Sequence, residues 1–356
     1  MNTPATQPVI AVITPTYNRA GLIRDALDSV LAQDVGVPIE VAVVDDGSTD
    51  NTLEVIKPYL EKYGDQGVTG GLPHVFMEES APSAHTPVVI RYTRLEKQGV
   101  VTARNTAIAQ TTAPFIAMLD SDDYWAPDKL RKQLAILKSD STVALVHTSF
   151  RYVNEQGQIT DDGPQRLNNP CVGDCLDTLL HEFLVLFSSV MVRRSVVESA
   201  ALAEGHGQPF DPRWTNSQDY DLCLRCARFG NFAYIAEPLT LYRIHGSHGA
   251  MGNLARAFGF HCRVQMDFVR RYGEAIGIDE TEIKRRVAKF LLGRAESAFW
   301  QRQLETSRKL VALARELGVG DARFDALAKK ASRPAWLYKV KDALDRLRGK
   351  SGKKPA

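Results

Sequence analysis

Short unbroken apolar runs alternate with segments of helical period over the first 150 residues. Val9-Ile-Ala-Val-Ile13 has strand length and ends in Thr14-Pro-Thr-Tyr-Asn-Arg19. Leu22, Ala26, Leu27, Val30 and Leu31 then recur at helical spacing, which predicts an amphipathic helix over 22–33. Ile39-Glu-Val-Ala-Val-Val44 predicts a second strand that stops at Asp45-Asp-Gly-Ser-Thr-Asp50, where Asp50 is placed to cap a helix beginning near Leu53. Runs with no polar alternation suit strands covered on both faces. Their regular exchange with helices, with polar turns after each strand, signals an α/β doubly wound, mostly parallel sheet.

Residues 64–87 break the rhythm with glycines and prolines and read as a surface insertion. Val88–Tyr92 resumes the sheet, Gly99–Ile108 opens a helix, and Phe115-Ile-Ala-Met-Leu119 is a further buried strand. A helix over 127–138, a strand over 143–152 and a hairpin turn at Gly157 follow, so antiparallel strands are expected to join the sheet. Next come a helix over 174–183, a strand over 188–192, a loop over 211–217, a helix over 218–229 and a last strand over 238–245. Beyond about Met251 the pattern is helical only, at roughly 252–274, 279–302, 304–317 and 321–331. The expected organisation is therefore a sheet domain over 1–250, a helical C-terminal region over 251–332 and a basic amphipathic tail over 333–356.

Chemistry gathers first at Asp120-Ser-Asp-Asp123, directly after the apolar run. The C-terminal ends of such strands are where open α/β sheets bind ligands. Three acids within four residues repel one another and call for a cation. In a tight turn Asp120 and Asp122 can both reach one Mg²⁺ or Mn²⁺, hard ions that take oxygen ligands and often complete their shell with substrate phosphates. The alternative is a solvated turn with a helix N-cap.

The chain's 356 residues, 44% apolar and 24% charged, describe an ordinary globular protein, and a net charge of +2 makes no case for nucleic acid. The N-terminus lacks a basic segment followed by an apolar core, and the most apolar stretch, 176–192, is interrupted by Asp177, His181 and Glu182. A cytoplasmic location with reduced thiols is expected. Cys171, Cys175, Cys223 and Cys226 admit a zinc reading, but Cys223 and Cys226 share a helical face with positions 219 and 222, which suits small buried thiols. The tail carries eight Lys/Arg against two Asp, with Trp336, Leu337, Val340, Leu344 and Leu347 as an apolar stripe. It reads either as a contact with the anionic inner face of a membrane or as a helix docked on its own protein.

Five segments occur in an order that resembles a family 2 glycosyltransferase of the GT-A fold. They are Thr14-Pro-Thr-Tyr-Asn-Arg19, Val44-Asp-Asp-Gly-Ser-Thr-Asp50, Gly99-Val-Val-Thr-Ala-Arg-Asn-Thr-Ala-Ile108, Leu119-Asp-Ser-Asp-Asp123 and Gln218-Asp-Tyr-Asp-Leu-Cys-Leu-Arg225. Tyr242-Arg-Ile-His245 also fits, and the likeness covers about residues 8–248. The resemblance implies inverting transfer of a sugar from a nucleotide-diphosphate donor, a UDP-sugar first of all, to a saccharide or lipid-linked hydroxyl acceptor. It assigns Thr14, Pro15, Tyr17 and Asp46 to the donor pocket, Arg104 to the nucleotide-sugar, Asp120 and Asp122 to donor and metal, and Asp219 to the catalytic base. His245 reads either as a contact to the diphosphate or metal or as a structural residue at a strand end. Family members usually carry Glu before that base, and here the position is Gln218. Two other readings stand beside it: nucleotidyl transfer, which would favour a glycine-rich loop after the first strand, and a catalytically silent sugar-nucleotide binder, to which Gln218 lends a foothold. Asp221 is expected to pair with Arg225, and Trp125 to sit in the core or line an acceptor site.

Overall fold

The computed structural model describes residues 7–64, 86–165, 170–183, 185–205, 207–244 and 254–333, with side chains described except at 161–165 and 254–257. The body of the 64–87 insertion, His245 and all but the first residue of the tail lie outside them. The chain divides into two compact units, Met1–Gly249 and Ala250–Ala356.

In the first unit, β1 (Ile10–Thr16) lies between β2 (Ile39–Asp45) and β4 (Phe115–Met118), and β2 is flanked by β3 (Val88–Arg94). All three pairings are parallel, so β1, β2, β3 and β4 end on the same sheet edge. Beyond β4 the sheet continues through β8 (Met191–Arg193), β6 (Val143–Val153), β9 (Asn231–Arg243) and β5 (Tyr124–Trp125), with β7 (Ile159–Gln165) hairpinned onto β6. β8 runs antiparallel to both β4 and β6, which supplies the expected antiparallel additions.

β1 and β2 are buried at every position because both faces are covered. Ile10, Val12, Val41 and Val43 join a core with Ile23, Leu27 and Val30 of α1 (Ile23–Leu31), Ile56 of α2 (Thr52–Tyr63) and Leu130 and Leu134 of α4 (Lys129–Ser139). Their sheet neighbours Ala11, Ile13, Ala42 and Val44 point the other way by the period of two, where α3 (Val100–Ala109) packs on β1 and β2. Each fully buried Val, Leu or Ile contributes about 1.5–3 kcal/mol, which is what holds the strand ends in register.

Four elements depart from the expectations. Residues 187–189 form a 3₁₀ turn before β8, since Ser188 is recruited by the acidic turn described below. β9 begins at Asn231, seven residues earlier than expected, and Pro238 sits where its register with β6 shifts, an irregularity that tolerates the missing N–H. The helix α6 (Arg194–Ala203) and the two-residue β5 have no counterpart in the expected elements. α5 (Leu176–His181) precedes β8, and α7 (Gln218–Cys226) lies between α6 and β9.

The second unit is helical over its described residues: α8 (Leu254–Tyr272), α9 (Glu280–Trp300), α10 (Leu304–Glu316) and α11 (Ala322–Ala331). Asp279 and Asp321 cap α9 and α11 by accepting the amides of Thr281 (2.8 Å) and Arg323 (2.9 Å). Ile283, Val287, Leu291 and Ala295 of α9 face inward and α10 packs on that helix. Among the described residues no helix is long and apolar enough to cross a membrane.

All five cysteines are free and buried. Burial pushes the Cys226 and Cys262 thiols up to about 12, and the hydrogen bond with Cys171, then burial, raises Cys175. A thiol-specific chromogenic reagent is expected to titrate none of them in the native protein and all five in denaturant; fast native labelling would contradict this burial.

Candidate functional site

The first two loops of the sheet edge are laced together. Asn18, in the left-handed region at φ 51°, donates its amide to Ser48 Oγ (2.9 Å), and its Oδ1 accepts from the Thr49 amide (2.8 Å). The Asp50 carboxylate accepts the Thr52 amide (3.0 Å) at the start of α2, and also the Ala20 amide (3.2 Å). Gly47 has φ +81°, and a Cβ there would stand 3.1 Å from Leu95 O and Lys97 N, so only glycine fits. Asp45, fully buried, accepts from the Ser48 amide (2.7 Å) and the Tyr92 hydroxyl (2.8 Å) and thereby shapes this loop. Asp46 accepts the amides of Gln98 (2.6 Å) and Gly99 (2.9 Å), tying the loop after β2 to the start of α3.

Thr14 and Pro15 are buried within β1, and the Thr14 hydroxyl, like that of Thr16, has no protein partner. Tyr17 is the first side chain of that segment to emerge; Lys97 donates to its hydroxyl (2.9 Å) and lies over its ring (4.4 Å).

Asp120–Asp123 closes as a tight turn through the bond from the Asp123 amide to Asp120 O (3.0 Å). The cations that offset its three carboxylates come from distant parts of the chain. Arg104 of α3 donates to Asp120 (2.6 Å) and Arg19 to Asp122 (3.3 Å). Arg243, at the end of β9, donates its side chain to Asp122 O (3.0 Å) and its amide to Asp123 Oδ1 (3.0 Å). The Ser188 hydroxyl completes the turn, donating to Asp123 Oδ2 (2.5 Å) and accepting from the Asp120 amide (3.2 Å). Burial, then Asp122 and Asp120, raises the Asp123 carboxyl well above the usual range, so this acid is the internal strut of the turn. Asp120 and Asp122 keep 36% and 22% of their side chains open, which leaves them the oxygens able to meet a ligand.

Arg104 is itself held in a cage, its guanidinium 4.7 Å from the Phe187 ring and 5.6 Å from that of Phe210. Its Nη1 is buried with no protein partner. Asp219, in the first turn of α7, comes within electrostatic reach of the same pair. Burial raises its carboxyl above the ordinary range, Arg104 and the Tyr220 amide (2.9 Å) pull it down, and Asp120 raises it. The residue preceding the helix is Ser217, at φ 58°, so Asp219 does not act as the N-cap. The Gln218 Oε1 beside it is buried and unbonded to protein.

Other expected residues have internal duties. Asn105 bonds the backbone of Phe210 through both ends of its amide (2.8 Å each). Asp221 pairs with buried Arg225 (2.6 Å), as its helical spacing predicts. Trp125 is core, donating to Ser188 O (2.7 Å) under the amine of Lys129. Ser188, Phe187 and Phe210 escaped the sequence reading, because a lone Ser or Phe in an apolar stretch carries no signal of its own. Arg19 and Arg243 lay inside motifs already quoted, without an assigned duty.

The family model for glycosyl transferase family 2 matches residues 11–70 and 77–198, just over half of the chain. The chain belongs to glycosyl transferase family 2. This glycosyltransferase is 30% identical over 250 residues to a chondroitin synthase of Pasteurella multocida, covering 69% of its own chain but only 22% of that protein. Among solved structures it resembles TarS 1-349 of S. aureus in complex with UDP-GlcNAc, at TM-score 0.61 and 18% identity over 90% of this chain and 83% of that one. It also resembles the mannosyltransferase PcManGT of Pyrobaculum calidifontis in complex with GDP-Man and Mn²⁺, at TM-score 0.50 and 19% identity over 98% and 89% of the two chains. At those identities the structural likeness speaks for the shared GT-A-like fold alone.

Proposed function

We propose that this glycosyltransferase moves a sugar from a UDP-sugar to a hydroxyl of a growing glycan, inverting the anomeric centre. The observation that supports this reading is the Arg104–Asp120 pair (2.6 Å) at the sheet edge, with the Asp219 carboxyl near enough to feel both charges. The Asp219 carboxylate takes the acceptor proton as the acceptor oxygen bonds to the anomeric carbon, and the bond from that carbon to the diphosphate breaks with its electron pair leaving on phosphate. Arg104, with one guanidinium nitrogen unpaired and buried, is the donor-side group that meets the diphosphate. Tyr17, on the emerging end of the first loop, and Asp46, with acceptor capacity left beyond its two amides, are the residues for the nucleoside; Thr14 and Pro15 back them from within β1.

A Mg²⁺ or Mn²⁺ ion would be held by Asp120 and Asp122, with His245, outside the described residues, as a further candidate ligand. Among the described residues no three His, Cys, Asp or Glu side chains gather to hold a metal by themselves. Two partly exposed carboxylates on one tight turn fit an ion that completes its shell with donor phosphate and water. Once bound, the ion would neutralise charge growing on the leaving diphosphate. Support for a UDP donor comes from the TarS complex with UDP-GlcNAc, and support for a polysaccharide product from the name of the chondroitin synthase.

The test is release of nucleoside diphosphate across a panel of UDP- and GDP-sugars with Mn²⁺, Mg²⁺ or chelator, with the product anomer read by NMR. Release from a UDP-sugar that falls to background in chelator, with inverted product, is expected. Retention of configuration would end the single-base mechanism, and binding without release from any donor would leave a sugar-nucleotide binder.

A further inference from the structure

The small net charge of the chain hides a separation. Residues 1–249 carry 20 Lys/Arg against 30 Asp/Glu, whereas residues 250–356 carry 24 against 12. An acidic catalytic unit repels a polyanion, and the helical unit attracts one.

Within the described part of the helical unit the cationic surplus is concentrated in two clefts. One, of about 530 Å³, lies at the start of α10 and is lined by Arg302, Arg308 and Arg333 with Thr306 and Ser332. No side chain caps α10, and the one acid of this cleft, Glu305, is engaged by Lys309 (2.7 Å). The second, of about 470 Å³, runs along α9 between Arg286, Lys289 and Arg294, floored by Phe290 and Gly293. Several acids elsewhere on the unit are matched, Glu316 by Arg263, Asp325 by Arg315 and Asp321 by Arg323, while Glu274 and Glu296 form no ion pair with a described residue. Lys289, Arg294, Arg308 and Arg333, by contrast, form no ion pair with a described residue and all line the clefts.

We infer that these two clefts bind an anionic glycan chain, one bearing carboxylates or phosphodiesters at intervals, and so tether the acceptor to the enzyme; the inference rests on the glycan-transfer reading above. Arginine dominates the lining, and its planar fork takes carboxylate and phosphate oxygens in pairs. Concave clefts separated along two helices fit a chain better than a flat lipid surface. Arg294 is held over the Phe258 and Phe290 rings (4.6 and 5.3 Å), an apolar backing for a guanidinium that lines the cleft. Tethering raises the local concentration of acceptor ends without any new contact at the reacting atoms.

Equilibrium binding of the full chain to labelled polygalacturonate, poly(glycerol phosphate), neutral dextran and phosphatidylglycerol vesicles tests this. Either or both charged polymers should bind with an affinity that falls steeply with salt, and dextran should not. The variant Lys289→Glu/Arg294→Glu/Arg308→Glu/Arg333→Glu should lose about tenfold or more in polymer affinity. It should keep its melting temperature and its acceptor-free rate of donor hydrolysis. The milder pair Lys289→Gln/Arg294→Gln guards against misfolding and should lose a smaller part of the same affinity. The two polymers separate carboxylate from phosphodiester recognition. Unchanged polymer affinity in both variants, equal binding of dextran, or binding of vesicles through these residues with neither polymer bound would each overturn the inference. Failure of donor hydrolysis in the unaltered protein would instead strike the catalytic reading and leave the binding result standing.

Discussion

Replacing Asp219 by Asn is expected to lower the transfer rate by about 10²–10⁴-fold, the usual contribution of a positioned general base, with donor affinity unchanged. The isosteric amide keeps the size of the side chain and its contact with the Tyr220 amide while removing the proton acceptor. The pH profile gives an independent reading. A base works deprotonated, and burial raises the Asp219 carboxyl, so activity at saturating donor should be lost on acidification at a pH above the ordinary aspartate value of about 3.9. Arg104 holds that carboxyl down and Asp120 pushes it up. Arg104→Gln should therefore move the acidic limb to higher pH, and Asp120→Asn to lower pH, whatever each does to the absolute rate. A turnover number indifferent to Asp219→Asn, or a limb that neither neighbour moves, would remove this residue from the chemistry.

The second large effect concerns stability. Arg243 is nearly inaccessible, and its guanidinium reaches Asp122 O (3.0 Å), Glu155 O (2.7 Å), Asn154 O (3.3 Å) and Asp25 Oδ2 (2.5 Å). It thus fastens the acidic turn to α1 and to the β6–β7 hairpin at once. Arg243→Ala strands three carbonyl acceptors and removes a nearly inaccessible side chain, a loss of about 3 kcal/mol or more by the cost of unsatisfied buried acceptors. Asp25→Ala should cost only about 1 kcal/mol or less, since its side chain is 46% exposed and the other three bonds persist. Urea midpoints at constant m-value measure both. Equal losses for the two variants would show that the Asp25 contact, and not the grip on the turn, is what Arg243 contributes.

The difference between these two residues shows how far the sequence carries. Asp219 stood in an ordered set of motifs and was assigned a duty, whereas Arg243 lay in a quoted motif and received none. Its five partners, including the Asp123 carboxylate bound by its amide, come from three separate stretches of chain, and no local pattern announces such a convergence. The same holds for the Phe187 and Phe210 cage around Arg104. The acidic turn was read as needing a cation. That the protein itself supplies three guanidinium groups around it, from α3, the loop after β1 and β9, emerged only from the packed structure.

What the amino-acid order determined by itself was the parallel half of the sheet, the four C-terminal helices and the strand-end loops that carry the polar motifs. Those rest on the periods of two and 3.6 and on turn residues, all of which act over a few neighbours along the chain. Only the tertiary structure decided which arginine meets which aspartate, that Ser188 turns out of its strand to brace Asp123, and that four cations without an ion pair to a described residue line two clefts of the helical unit. Such pairings depend on the distance between side chains 16 to 103 residues apart, and that distance is set by packing rather than by local propensity.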